Sequence, residues 1–145
     1  SIPKKQEFIM RSFEQISEWV AQKYTVTVME PYLLGLELSM DHGNRHQSVF
    51  LSELIDEDTR KVLRISTVVA DGEHSRDYLD KALAFNWQSR SGFLALGELD
   101  GRTHLKLCEN RPYEGLSMIE LERTLLRIGG MGDAIERQLQ TGDAF

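Results

Sequence analysis

The feature that most constrains this fold is the turn signal Asp100-Gly101, set inside the stretch FLALGELDGRTHLKL. Both central positions of a type I′ turn need positive φ, so this dipeptide between alternating runs predicts a β-hairpin. Closing the turn pairs Leu99 with Arg102 and, counting outward, sets leucines on one face and polar groups mainly on the other. The sequence thus predicts an antiparallel sheet with one buried face. His104 is interpreted as a solvated strand residue on the opposite face.

A second turn, DHGN at residues 41–44, joins two runs with period-two apolar spacing. Centring it on His42-Gly43 pairs Leu36 with Val49, so the apolar faces of both strands agree. The same register sets Phe50 opposite Gly35 on the second face. Two interpretations of Phe50 stay open: packing over a bare backbone, or an exposed anchor for a partner.

The acidic run ELIDED, residues 53–58, precedes another strand pattern, VLRISTVV. We predict a three-residue loop, residues 56–58, which pairs Leu63 with Leu51. A four-residue loop would turn every side chain to the other face. The carboxylates themselves are interpreted as a solvated turn.

The N-terminal segment has helical spacing. Pro3 is well suited to a first helical turn, and apolar residues then recur at four, three and four positions to about Gln22. Phe8 and Trp19 lie beside this stripe and widen it. A broad core contact is the more common cause, but these two residues are the candidates for a partner-binding edge beside the first helix.

A second helix is predicted after Ser75, which is a good N-cap residue. It is apolar on more than one side, so it either lies deep between layers or packs on a partner as well as on its own sheet. We predict a homodimer, with the contact formed by Leu79, Leu83, Phe85 and Trp87.

A last helix begins at Ser117, which forms a capping box with Glu120. The glycine cluster GGMG at residues 129–132 predicts a weak or bent segment in it. The order of elements predicts an α+β fold: an antiparallel sheet, made of a meander of about four strands plus a hairpin, with three helices. We expect residues 1–145 to form a single domain.

The charge balance argues against several classes of partner. The net charge of −6 and the absence of long basic clusters argue against nucleic acid. No apolar run approaches the roughly 20 residues that a membrane span needs, and no signal segment is recognisable. We therefore expect a cytoplasmic protein with no membrane partner.

The sequence offers few ingredients for catalysis. His42 and His46 straddle a turn beside Asp41, but no Cys pair or H-E-x-x-H helix accompanies them, so no metal is predicted. Cys108 is the single cysteine and is interpreted as a structural thiol. No serine lies in a G-x-S-x-G elbow and no phosphate loop is present. The expectation is a protein without enzymatic activity or cofactor.

The segment from residue 79 to 125 resembles that of YbjN-like proteins and class I type III secretion chaperones of bacteria. In these families a leucine-rich helix ending near an Asn leads to a glycine-turned hairpin, a Pro-x-Glu-Gly exit and a capped final helix. Asn86, Asp100-Gly101, Pro112 to Gly115 and Ser117 hold those places here. The order of elements fits over nearly the whole chain. Arg111 and the glycines at 129–132 depart from the pattern.

The resemblance implies an acidic homodimer that binds polypeptide and catalyses nothing. The leading hypothesis is a chaperone or adaptor that binds an extended segment of a client protein, in a groove beside the first helix or at a sheet edge. The alternative is a YbjN-like regulatory protein in signalling or stress response, without a secreted client.

Overall fold

A computed structural model of the chain describes residues 9–142. Within them six antiparallel strands form one sheet and three α-helices accompany it, which confirms the predicted α+β class. The strand order is β1-β2-β3-β4-β6-β5, a meander extended by a hairpin. In chain order the elements are α1 (Phe13–Lys23), β1 (Thr25–Glu30), β2 (Leu33–Met40), β3 (Arg45–Ile55), β4 (Lys61–Ala70), α2 (Leu79–Gln88), β5 (Phe93–Leu99), β6 (Arg102–Pro112) and α3 (Met118–Gln140).

One apolar core lies between the helices and a single face of the sheet. Alternate residues of each central strand enter it, for example Leu34 and Leu36 of β2, and all three helices contribute. An ion pair between Lys23 and Glu122 joins α1 to α3. None of the described helices is long and apolar enough to cross a membrane.

The β5–β6 hairpin has the register that the Asp-Gly turn predicts. Leu99 pairs with Arg102 and Leu94 with Leu107. Asp100 and Gly101 have φ values of 53° and 74°, as a type I′ turn requires.

Replacing Gly101 with valine is expected to lower the free energy of unfolding by about 1 to 2 kcal/mol or more, because a β-branched residue is strongly disfavoured at positive φ. A Cβ at this position would meet no atom within 4 Å, so backbone strain is the only cause to be expected. Gly101→Asn is the matched control, since asparagine tolerates this region. Equal urea midpoints for wild type and the valine variant would contradict the turn.

The meander confirms one predicted register and corrects another. Leu36 pairs with Val49 across the DHGN turn between β2 and β3, as predicted. The β3–β4 loop, predicted to have three residues, instead covers residues 56–60, and Ile65 rather than Leu63 pairs with Leu51. The shift is two residues, so every side chain keeps its predicted face.

Local hydrogen bonds explain the longer loop. The Asp56 carboxylate accepts from the backbone N–H of Asp58 at 2.9 Å and of Arg60 at 2.8 Å. Thr59 adopts a φ of 63°. The side chain of Asp56 thus organises the five-residue turn, a local competition that counting strand residues does not reveal.

The first two helices begin later than predicted. Ser12 caps α1 by accepting from the Gln15 N–H at 3.1 Å, so Ile9 lies before the helix, where it forms an isolated bridge to Ser117. Ser75 begins a short 3₁₀ turn (Ser75–Tyr78), and α2 follows at Leu79. The proposed opening at Pro3 lies outside the described residues.

The third helix begins as predicted but is not interrupted. Ser117 accepts from the Glu120 N–H at 3.1 Å, whereas the Glu120 carboxylate accepts from Arg111 and Arg123 and does not complete the predicted capping box. Helix α3 then runs continuously through all three glycines of the GGMG cluster. Gly129 and Gly132 lie against the sheet, where an added Cβ would collide with Leu38 and Thr67 respectively. Their function is close packing of α3 on β2 and β4, which the propensity argument missed.

Candidate functional site

The face of the sheet opposite the core carries a groove of about 440 Å³. All of its lining residues belong to strands or to the β5–β6 turn, so no described helix contributes to it. Each of the six strands supplies at least one of them, from Glu30 at one edge to Leu99 at the other. The sequence left open whether Phe50 is packed or exposed. In the structure, the sheet face that bears Phe50 forms the wall of this groove.

The groove requires a curved sheet. Six flat strands would separate β1 from β5 by about 24 Å, five times the spacing of about 4.8 Å between neighbours. Residues of both edge strands nevertheless line the same groove. The sheet therefore curls around its free face, which the right-handed twist of strands favours.

Phe50 lies half-buried at the middle of this face. It pairs with Gly35 in the β2–β3 ladder, as predicted, and Gly35 leaves room for the ring: a Cβ there would be 3.2 Å from a Phe50 ring carbon. The Nζ of Lys106 lies 5.6 Å from the ring centroid. Phe50 therefore packs over bare backbone and also presents one side to the groove.

Two cationic side chains line the groove without a carboxylate partner among residues 9–142. Arg64 donates from Nε to Asn110 Oδ1 at 2.9 Å, and its two terminal nitrogens bind no described acceptor. Lys106, on the next strand, has the Phe50 ring as its neighbour and takes part in no described ion pair. Both side chains are half-buried.

Electrostatics agree with this geometry. Burial lowers the pKa of Lys106 below its ordinary value; the nearby Cys108 opposes this shift, and the positive charge of Arg64 adds to it. Burial raises the pKa of the neighbouring Cys108 thiol, although both cations oppose that shift. Cys108 is therefore a protonated, buried thiol, consistent with the structural role expected for it.

The proposed edge beside α1 is less open than the sheet face. Trp19 is half-buried against the core, contacts the Tyr24 ring edge-on at a centroid distance of 6.2 Å, and has Lys23 Nζ 5.2 Å from its centroid. Phe8, the other candidate at this edge, lies outside the described residues. Trp19 is therefore packed against its neighbours, and it is not among the residues that line the concavities described in this section.

The outer surface of α2 carries the most exposed aromatic side chain described in the chain. Trp87 is 90% exposed and Leu83, one turn earlier, is 70% exposed. Leu79 and Phe85 are half-buried, and Phe85 packs against the core. Of the four candidates for a dimer contact, Leu83 and Trp87 form an outward ridge, which we call the α2 ridge.

The position of α2 is fixed by its C-terminal asparagine. Asn86 donates from Nδ2 to the Leu94 carbonyl at 2.9 Å and accepts from the Leu94 N–H at 2.7 Å. These two bonds tie the helix to β5, the edge strand of the sheet. Ala82 is the buried contact, so Leu83 and Trp87 must point away from the sheet.

A larger concavity, of about 550 Å³, opens where β3 and β4 diverge. His46, His74 and His104 lie among its lining residues, together with Asp71 and Glu136. His104 is not the solvated residue that was predicted: it is half-buried, and its Nδ1 is buried without a described hydrogen-bond partner. Burial raises the pKa of Glu136, and Asp133 raises it further.

Neither concavity assembles a recognisable catalytic arrangement. No group of three or more His, Cys, Asp or Glu side chains within residues 9–142 is placed to hold a metal ion. His42 and His46, the pair weighed as a weak metal site, lie in the β2–β3 turn and at the start of β3. Comparison with protein-family models, curated proteins and solved structures finds no match to this chain.

Proposed function

We propose that this protein is a non-enzymatic binding module that acts as a homodimer and holds an extended segment of a client polypeptide on the open face of its sheet. The observation that carries the proposal is the groove to which all six strands contribute and no described helix does. A sheet face of an ordinary α+β domain that is left free in this way is normally polar. This one presents the apolar side chains of Phe50, Phe93 and Leu33 among its polar residues.

The groove suits an extended chain better than a helix. An extended segment is narrower than a helix, which with its side chains is about 10 to 12 Å wide, and its alternate side chains can face the groove. At about 3.3 Å per residue, about seven residues would cross a flat six-stranded sheet, so this number is an upper bound for the curled sheet. Contacts with the half-buried aromatic rings would bury apolar surface of the peptide. This burial contributes about 25 cal/mol of binding free energy per Å², before the cost of ordering the peptide is subtracted.

The second part of the proposal is that the α2 ridge is covered by another copy of the chain. Large apolar side chains this exposed and adjacent are uncommon on monomers. Charge complementarity favours a second copy: Asp80 begins the exposed face of α2 and Arg90 follows its C-terminus, and neither has a described ion-pair partner. When two α2 helices pack antiparallel, each Asp80 comes near the Arg90 of the other copy.

The binding function is tested with a fluorescent seven-residue peptide in which valine and phenylalanine alternate with threonine around one central glutamate. We expect saturable binding measured by fluorescence anisotropy, and at least a tenfold loss of affinity for Phe50→Asp, because a charge replaces the ring in the groove wall. Ile119→Asp is the control: this side chain is 40% exposed on α3, away from the groove.

Equal affinities for Phe50→Asp and wild type would contradict the groove as the binding site. Thermal melts of both variants accompany the titrations. If Phe50→Asp does not fold, Phe50→Ser at the same position and Phe93→Ser across the groove replace it, since serine leaves the neighbouring backbone unstrained. Absence of saturable binding by the wild-type protein would contradict the proposed function itself.

A further inference from the structure

The groove on the open sheet face contains an electrostatic imbalance that runs against the overall charge of the chain. The chain carries a net charge of −6, yet the half-buried charges in the groove are the cations Arg64 and Lys106. Among the described residues neither is neutralised by a carboxylate. A charge that loses part of its water gains from an ionic partner, because an unpaired charge away from water is costly. An anionic group bound in the groove would supply that partner to both cations.

We propose that these two cations recognise an acidic side chain in the client segment, so that the protein selects extended segments with a carboxylate between apolar residues. This rests on the proposed function and specifies its ligand. The terminal nitrogens of Arg64 remain free to form the two-pronged contact that guanidinium groups make with carboxylates. Lys106 supplies a second positive charge two residues from Cys108 on the adjoining strand β6.

Three carboxylates also line the groove: Glu30, Glu98 and Asp100. All three belong to exposed residues at the two edges of the sheet, whereas the two cations lie on the central strands β4 and β6. Charges at an exposed rim act through water and are strongly screened, while charges nearer the protein interior are screened less. The pattern therefore favours a carboxylate at the centre of the bound segment and disfavours additional acidic residues at its ends.

Phe50 and Phe93 explain why the flanking residues should be apolar. Both are half-buried and line the groove together with the cations. A carboxylate that enters between them loses water, which is tolerable only when it gains charged donors in return. The contacts of Lys106 and Arg64 thus become the specificity element, and the aromatic walls supply the apolar contact area.

The test compares three labelled peptides that differ only at the central residue of the seven-residue probe: glutamate, glutamine or lysine. We expect the glutamine peptide to bind at least tenfold more weakly than the glutamate peptide, and the lysine peptide more weakly again. The advantage of glutamate should shrink as salt is raised from 50 mM to 500 mM, since screening weakens the ionic contact.

Variants assign the effect to the two side chains. Lys106→Met and Arg64→Met should each reduce the preference for glutamate over glutamine, and the double variant should remove it, while binding of the glutamine peptide remains. Lys61→Met is the matched control, because it removes the same charge from an exposed residue at the start of β4. Lys106→Glu should reverse the preference and favour the lysine peptide over the glutamate peptide.

The outcomes separate the inference from the function on which it rests. Equal binding of the glutamate and glutamine peptides would overturn the acidic preference and leave the binding module intact. Failure of all three peptides to bind would overturn the proposed function. Loss of the preference in Lys61→Met as well would show a general effect of net charge and would also overturn the assignment to the groove. The three-peptide comparison needs no variant, so it remains decisive if a substitution prevents folding.

Discussion

Gly132→Ala is expected to lower the free energy of unfolding by about 1 to 3 kcal/mol, while Gly130→Ala, two residues earlier in the same helix, is expected to raise it by up to about 1 kcal/mol. The added methyl group at Gly132 would collide with the Thr67 side chain. At Gly130 it would meet no atom within 4 Å. Only the gain in helix propensity remains there.

Thr67 cannot move aside easily. It is fully buried, and its Oγ1 donates to the Ser48 carbonyl at 2.6 Å and accepts from Gln47 Nε2 at 2.7 Å. A β-branched side chain has few alternative rotamers, and rotation would break both bonds. Gly129→Ala meets the end of the more flexible Leu38 side chain and should fall between the other two variants.

Urea unfolding at one fixed protein concentration measures all three variants, because the stability of a dimer depends on concentration. The expected order of midpoints is Gly130→Ala above wild type, then Gly129→Ala, then Gly132→Ala. A stability of Gly132→Ala equal to that of Gly130→Ala would contradict the close approach of α3 to β4.

Substituting glutamate for both Leu83 and Trp87 is expected to convert the proposed dimer into a folded monomer, which light scattering would detect as a fall in mass from twice 16.6 kDa to 16.6 kDa. Central aromatic residues of interfaces often contribute 2 kcal/mol or more, so Trp87→Glu alone should weaken dimerisation by at least about thirtyfold. Both side chains are largely exposed in one copy, so the fold should survive, and far-UV circular dichroism checks this.

A charge exchange tests the antiparallel arrangement of the two α2 helices. Asp80→Arg and Arg90→Asp should each weaken the dimer, because each places like charges together. The double variant should recover part of the loss, and Asp58→Arg, on the distant β3–β4 loop, serves as the control. Wild-type protein that remains monomeric up to high concentration would contradict the dimer, and single variants without effect would contradict the antiparallel contact.

Much of the sheet could be predicted because turn chemistry and apolar alternation agree. The Asp100-Gly101 and His42-Gly43 turns each gave the correct register, since a slip by one residue would expose a buried leucine face. The length of the β3–β4 loop was predicted wrongly because a shift of the register by two residues leaves every side chain on the same face of the sheet. Apolar pattern alone cannot distinguish these two registers, and the bonds of the Asp56 carboxylate decide between them.

Tertiary contacts between distant residues account for what was missed. Arg111 of β6 donates to Glu109 at 3.2 Å and to Glu120 of α3 at 3.4 Å. Glu109 also accepts from Arg127 of α3 at 2.9 Å. No local spacing reveals such a network.

The proximity of the two groove cations could likewise not be predicted from the sequence. Arg64 and Lys106 are far apart along the chain, and only the pairing of β4 with β6 brings them to one face. Phe50 could be placed on that face from its register, but its access to a groove depends on the curvature of the whole sheet. The α2 ridge, in contrast, was signalled by composition alone: Leu83 and Trp87 gave a short helix more apolar surface than one sheet could cover.

The central claim is that an extended polypeptide lies on the open face of the sheet, and photo-cross-linking tests it most directly. The glutamate probe peptide, with one phenylalanine replaced by benzoylphenylalanine, is irradiated with the wild-type protein, and mass spectrometry identifies the residues that it labels. We predict labels on residues that line the groove, with Leu33, Phe50 and Phe93 foremost, and their loss when unlabelled peptide competes. Competable labels confined to α1 or to the outer surface of α3 would contradict the account.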